Sequence, residues 1–175
     1  TLRCYFRNCN TFYCKICCLE GVSVLKYEIN DETLAIISFD DDKTRIIEEE
    51  DDYIVNEMPY SIMENSCKYF GSSFEGRVLG SKDILGSIYK APIIVEESKD
   101  LIFFPTEALN SSSVSWISYK KIKNVEKYGK KSRIIFNNDE SVVINCPYFS
   151  IKNQIFRCNM LETISKNRKS SKKND

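Results

Sequence analysis

The residue types that could do chemistry crowd into residues 66–77, SCKYFGSSFEGR. Lys68 and Arg77 bring fixed positive charge, Ser72 and Ser73 bring hydroxyls, and Gly71 lets the backbone approach a partner closely. Four of the six glycines, Gly71, Gly76, Gly80 and Gly86, fall between positions 71 and 86. That inventory suits contact with a phosphate or a nucleic-acid groove. It equally fits a helix that ends at Phe70, is capped by Gly71 and runs into a polar turn. The strand and spacing of a P-loop or a dinucleotide fingerprint are missing, so nucleotide binding is weakly supported.

Other chemistry is excluded by composition. The chain has no histidine, which removes Ser-His-Asp and Cys-His catalysis, His-ligated zinc and His-based pH switching. No paired constellation of carboxylates, Lys or Cys points to an enzyme, and no cofactor is expected. Five of the eight cysteines, Cys4, Cys9, Cys14, Cys17 and Cys18, lie in the first 18 residues. Cys14 and Cys17 form a C-x-x-C that Cys4 or Cys9 could complete as a zinc site, but a second C-x-x-C is absent. Residues 1–21 are expected to be a Cys-rich extension outside the folded domain, without a metal. Cys67, Cys146 and Cys158 read as buried thiols. The Asp40-Asp41-Asp42 run lacks the alternating ligands, Gly and closing Glu of a calcium loop and reads as a solvated turn. Trp116, flanked by alternating apolar residues, fits a core anchor better than a base-stacking platform.

The elements that must hold residues 66–77 can be traced in order. The 175 residues suffice for one domain with a core that needs no disulfides. VLKYEIN, TLAIISF, TRIIEEE and YIVNE read as strands of an antiparallel meander. Pro59 opens a helix over 60–70 with Ile62, Met63, Cys67 and Phe70 on its buried stripe, and Tyr69 is expected to help anchor it. Ser73 is placed to cap a short second helix through Leu79. APIIVEE and LIFFPTE form a hairpin, VSWIS follows, and KKIKNVEKY, SRIIFNN and SVVINC add further strands, with Lys120 and Lys121 adjacent on one of them and facing opposite ways. A C-terminal helix over 148–165 carries Phe149, Ile151, Ile155, Phe156, Met160, Leu161 and Ile164 as its apolar stripe. Residues 167–175 are expected to be a disordered basic tail.

This pattern predicts an α+β fold: an antiparallel β-sheet or partly closed barrel, an amphipathic C-terminal helix in a pleckstrin-homology-like arrangement, and a short helical insertion around 60–80. Charge is balanced at 25 basic and 25 acidic residues but unevenly distributed. Residues 22–66 hold 13 acidic and 3 basic side chains, and residues 105–175 hold 14 basic and 6 acidic. One face should repel polyanions and another attract them. No apolar run approaches the roughly 18 residues needed to cross a bilayer, and a cytoplasmic protein without membrane contact is expected.

The stretch SCKYFGSSFEGR resembles the signature of the ComK family of competence transcription factors. KAPIIV at 90–95, FFPT at 103–106 and Trp116-Ile117-Ser118 extend the resemblance in the same order, over about residues 22–165. It implies a single ComK-like domain over 22–166 with VLKYEI as the first strand. It also implies transcription activation of DNA-uptake genes by binding A/T-rich boxes through the minor groove, as dimers that pair into tetramers. The transcription machinery and a proteolytic adaptor are further partners it implies. The residues then expected to meet DNA are Lys68, Gly71, Ser72 and Ser73, Arg77 as the groove probe, Lys82, and Lys120, Lys121 and Lys123 as candidate phosphate contacts, with only one of Lys120 and Lys121 facing the DNA. FEGRVLG departs from the more basic stretch of some relatives, with Glu75 close to the expected DNA. The alternative is a non-catalytic protein-interaction module, a ComK paralogue with weak or no DNA binding.

Overall fold

The computed structural model describes residues 26–109, 111 and 113–171; the expected extension over 1–21 lies outside them. Two antiparallel sheets and three helices are built in the order β1 (Thr33–Asp40), β2 (Lys43–Glu48), β3 (Asp52–Val55), α1 (Pro59–Tyr69), α2 (Phe74–Leu85), β4 (Ile93–Glu96), β5 (Leu101–Pro105) and β6 (Trp116–Ser118). A 3₁₀ turn (Tyr119–Lys121) leads to β7 (Ile122–Tyr128), β8 (Lys131–Phe136), β9 (Ser141–Ile144) and α3 (Tyr148–Ser171). The larger sheet runs β3-β2-β1-β6-β5-β4 and the smaller one β7-β8-β9. The expected α+β class with antiparallel strands and a C-terminal helix is borne out. The strands stay open as two sheets and do not close into a barrel.

The apolar runs of the larger sheet explain its position. Strands buried on both faces read as continuous hydrophobic stretches, whereas half-exposed strands alternate. AIIS, IIV, LIFF and WI are of the first kind. Ile36, Ile46, Ile93, Phe103 and Trp116 face α1 and α2, packing on Ile62, Met63, Cys67, Phe74 and Val78. Their neighbours Ala35, Ile47, Ile94, Phe104 and Ile117 face the other way, onto Val125, Ile134 and Phe136 of the smaller sheet and Ile151, Cys158 and Leu161 of α3. The larger sheet is therefore the middle layer of three. Trp116 is only 1% exposed and meets Phe74 edge-on at 5.7 Å, which makes it a core anchor.

Several expectations change. VLKYEI is not a strand in its described part: residues 26–30 are irregular, and their backbone is held by side chains. The amide of Tyr27 donates to Glu57 and that of Ile29 to Ser66 Oγ, while the Tyr27 hydroxyl donates to Glu48 Oε1. Glu48, in the acid-rich end of β2, is buried. The second helix runs to Leu85 because Gly76 and Gly80 take helical geometry, and the left-handed Gly86 (φ +85°) ends it. Lys120 and Lys121 lie in the 3₁₀ turn, not on a strand. α3 continues to Ser171, so residues 167–171 of the expected tail are helical. Ion pairs from Lys166 to Asp100, Arg168 to Asp83 and Lys169 to Glu97 hold its last turns against the β4–β5 turn and α2.

Candidate nucleic-acid interface

The turn after α1 is set by backbone chemistry. Gly71 takes φ +73°, its amide donates to Lys68 O at 3.0 Å, and the Ser72 amide donates to Cys67 O at 2.9 Å. This pair of bonds is the Schellman stop, which needs a left-handed residue and so favours glycine. The hydroxyl of Ser73 accepts from the Gly76 amide at 3.0 Å and caps α2. Residues 71–73 thus form a short exposed corner between two helices, anchored by Cys67, which is fully buried, and by Phe70, which packs against the core. Tyr69 does not join that anchor; it is 56% exposed. Burial pushes the Cys67 thiol up to about 11 against the pull of Arg77, and burial raises Cys146 and Cys158 likewise. All three thiols stay protonated near neutral pH, which makes them poor nucleophiles.

The cations expected to meet DNA are largely occupied. Lys68 pairs with Glu64 one turn earlier at 3.0 Å. Arg77 is half-buried, with Nη1 3.9 Å from Glu97 Oε1 and a buried Nε that has no hydrogen-bond partner among the described residues. Lys120 reaches Glu162 at 2.6 Å, Lys121 reaches Glu49 at 2.5 Å and Lys123 reaches Asp139 at 2.5 Å. Lys82, in the last turn of α2, makes no ion pair among the described residues. The structure therefore brings Lys68, Gly71, Ser72, Ser73 and Arg77 together around the corner. Lys120, Lys121 and Lys123 surround a separate 3₁₀ turn beside the smaller sheet.

A second group of cations sits elsewhere. β7 and β8 turn at Gly129, and Ser132 stands opposite Ile144 in the register, so the hairpin tip and the chain leaving β9 share one end of the smaller sheet. The Ser132 hydroxyl donates to Cys146 O at 2.6 Å, tying that end to the start of α3. The Lys127 ammonium lies 5.1 Å from the ring centroid of Phe149, Lys152 lies 5.6 Å from that of Tyr148, and the Arg133 guanidinium lies 4.8 Å from that of Tyr128. Among the described residues Lys127, Lys130, Lys131, Lys152 and Arg157 make no ion pair. Between residues 127 and 161 the acidic residues are Asp139 and Glu140, in the turn at the opposite end of β8. The absence of acidic residues from 127–138 and 141–161 is the signal in the sequence for this cluster.

α3 also differs from its expected stripe. Its inward face is Ile151, Gln154, Cys158 and Leu161. Phe149, Phe156 and Met160, expected to be buried, form an outward ridge at exposures of 68%, 64% and 37%. Beside that ridge, Tyr89, Lys90, Ser150, Asn153 and Arg157 line a cleft of about 370 Å³ between α3 and the segment after α2.

Comparison with known proteins follows the same stretch of chain. The ComK protein family matches residues 24–170. The competence transcription factor of Bacillus subtilis (strain 168) is 30% identical over 141 residues, which cover 78% of this chain and 73% of that protein. No solved structure matches the chain. A family match across most of the folded residues, joined to that level of identity, means that the chain belongs to the ComK family.

Proposed function

We propose that the chain is a DNA-binding transcriptional activator of competence genes that recognises A/T-rich boxes through the minor groove and works as a dimer or tetramer. The observation that carries the reading is the 30% identity, over 141 residues, to a competence transcription factor. The physics of the A·T minor groove supports the mode. That groove offers few distinguishing hydrogen-bond groups, so its width and negative potential are read by Arg, Lys and closely approaching backbone. The exposed 71–73 corner supplies close backbone approach, with Lys68 and Lys82 as flanking charges. Arg77 serves as the groove probe only by leaving Glu97, and Lys120, Lys121 or Lys123 meets a phosphate only by leaving its carboxylate.

Titration of A-tract and G·C-rich duplexes across salt concentration tests the reading. Tighter binding to the A/T duplex, with affinity falling roughly a thousandfold between low and moderate salt for about six neutralised phosphates, is the expected result. Equal affinity for both duplexes, or no salt dependence, would overturn it. The carboxylates on Lys120, Lys121 and Lys123 favour a second reading, a non-catalytic interaction module within the same family. Under that reading no duplex binds above the level of a charge-matched control protein.

A further inference from the structure

We propose that the outward face of α3 from Phe149 to Met160, together with the β7–β8 hairpin tip, is a surface that grips duplex DNA. Its cations lie on the phosphates and its Phe149–Phe156–Met160 ridge lies against an opened minor groove. The inference rests on the DNA-binding reading above and adds a surface that neither the Gly-Ser corner nor the 3₁₀ turn contains.

Charge comes first. A lysine already paired with a carboxylate gives up that partner to meet a phosphate and adds little net field. An unpaired lysine displaces a condensed counterion outright. Lys127 and Lys152 rest on aromatic rings, which leave the ammonium groups without a compensating anion. Lys130 and Lys131 are exposed at the tip beyond Gly129. On the opposite flank of the ridge, Arg157 has only Gln154 Oε1, at 3.4 Å, as a polar contact among the described residues. Lys90, in the adjoining cleft, is held by Thr106 O at 2.8 Å and adds background charge only.

Phe149, Phe156 and Met160 recur at intervals of seven and four residues, so they line one face of the helix. The span from 149 to 160 covers about 17 Å, or roughly five base pairs at the rise of duplex DNA. Side chains of these types are the ones that minor-groove proteins wedge between base steps. A second copy of this chain is the competing occupant. Packing two ridges together would bring Lys127, Lys152 and Arg157 of each copy toward the like charges of the other, with no carboxylate in the 141–161 stretch to relieve them. A polyanion with an apolar interior fits both features.

The test uses the full chain and a fluorescein-labelled duplex carrying paired A/T boxes, read by anisotropy from low to moderate salt. Lys127, Lys130, Lys131 and Lys152 are changed together to Gln, and separately Phe149→Ala is combined with Phe156→Ala. Thermal unfolding confirms that each variant folds. The lysine variant should show a salt slope shallower by about 0.9 for each phosphate no longer neutralised, and near-hundredfold weaker binding at moderate salt. The phenylalanine variant should bind about tenfold more weakly with the slope unchanged. Folded variants that match the parent in affinity and slope would overturn the surface while leaving the DNA-binding reading intact. A parent that binds no duplex would remove that reading and the surface with it. A fall in oligomeric mass by light scattering in the phenylalanine variant, with unchanged DNA affinity per protomer, would assign the ridge to a second copy and also overturn the proposal.

Discussion

Around the Gly-Ser corner and the 3₁₀ turn, Lys68, Arg77, Lys120, Lys121 and Lys123 each end on a carboxylate. Around the β7–β8 hairpin and the start of α3, Lys127 and Lys152 end on aromatic rings, and Lys130 and Lys131 meet no acid among the described residues. The first region is richer in conformational signals and the second in uncompensated charge. What separates them for a polyanion is the charge left after local pairing. The two need not compete: the corner is suited to reading shape and the hairpin end to holding phosphate.

The largest expected effect sets the two lysine groups against each other. Neutralising Lys127, Lys130, Lys131 and Lys152 should weaken duplex binding by about a hundredfold at moderate salt, because each phosphate left unneutralised keeps its condensed counterions. Neutralising Lys120, Lys121 and Lys123 should change it less than about threefold, since surface pairs of this kind contribute only roughly 0–1 kcal/mol and mask their own charge. Anisotropy titration reads both, and the reverse ranking would place phosphate binding on the 3₁₀ turn.

Next comes Gly71→Ala. At φ +73° a Cβ costs about 1–2 kcal/mol, so the denaturation midpoint should fall while the salt slope of DNA binding stays as in the parent. A changed slope would move phosphate binding back to the corner.

A smaller effect concerns the pairing that docks α3 on the 3₁₀ turn. Burial raises the Glu162 carboxyl, but the ammonium groups of Lys120 and Lys166 outweigh it and hold it below its ordinary value. A carboxyl depressed in the folded state stabilises the fold above its unfolded pKa of about 4.3 and loses that contribution as pH falls through the folded value. Thermal midpoints should therefore drop on acidification, and Glu162→Gln should flatten that drop while lowering the neutral-pH midpoint by the equivalent of about 1 kcal/mol or less.

The smallest is a contrast within α2. Gly80→Ala meets nothing within 4 Å and should stabilise the helix by about 0.5–1 kcal/mol. Gly76→Ala would place a Cβ 2.9 Å from the capping Ser73 Oγ and should forfeit most of that gain, as the two melting curves would show.

Much of the scaffold was legible because it rests on local rules. Apolar runs bounded by turn residues mark the strands of both sheets, and the Gly71 stop and Ser73 cap are local chemistry. The described part of VLKYEI misleads because branched and aromatic residues also suit an extended segment held by side chains. In α3 the apolar positions cover more than one face, and periodicity does not say which of them turns inward. Ile151, Cys158 and Leu161 take the core, and Phe149, Phe156 and Met160 are left outside. The pairing of Lys120 and Lys121 was not legible at all. Glu162 lies 42 residues from Lys120, and Glu49 lies 72 from Lys121, so their meeting is a product of the fold.

Differential acetylation of lysines, quantified by mass spectrometry on the full chain with and without a saturating A/T-box duplex, distinguishes which lysines meet DNA. DNA should shield Lys127, Lys130, Lys131 and Lys152 several-fold, while Lys120, Lys121 and Lys123 react at nearly the same rate in both states. Shielding confined to Lys68, Lys82 and the 120–123 group, with the hairpin lysines unchanged, would contradict this expectation.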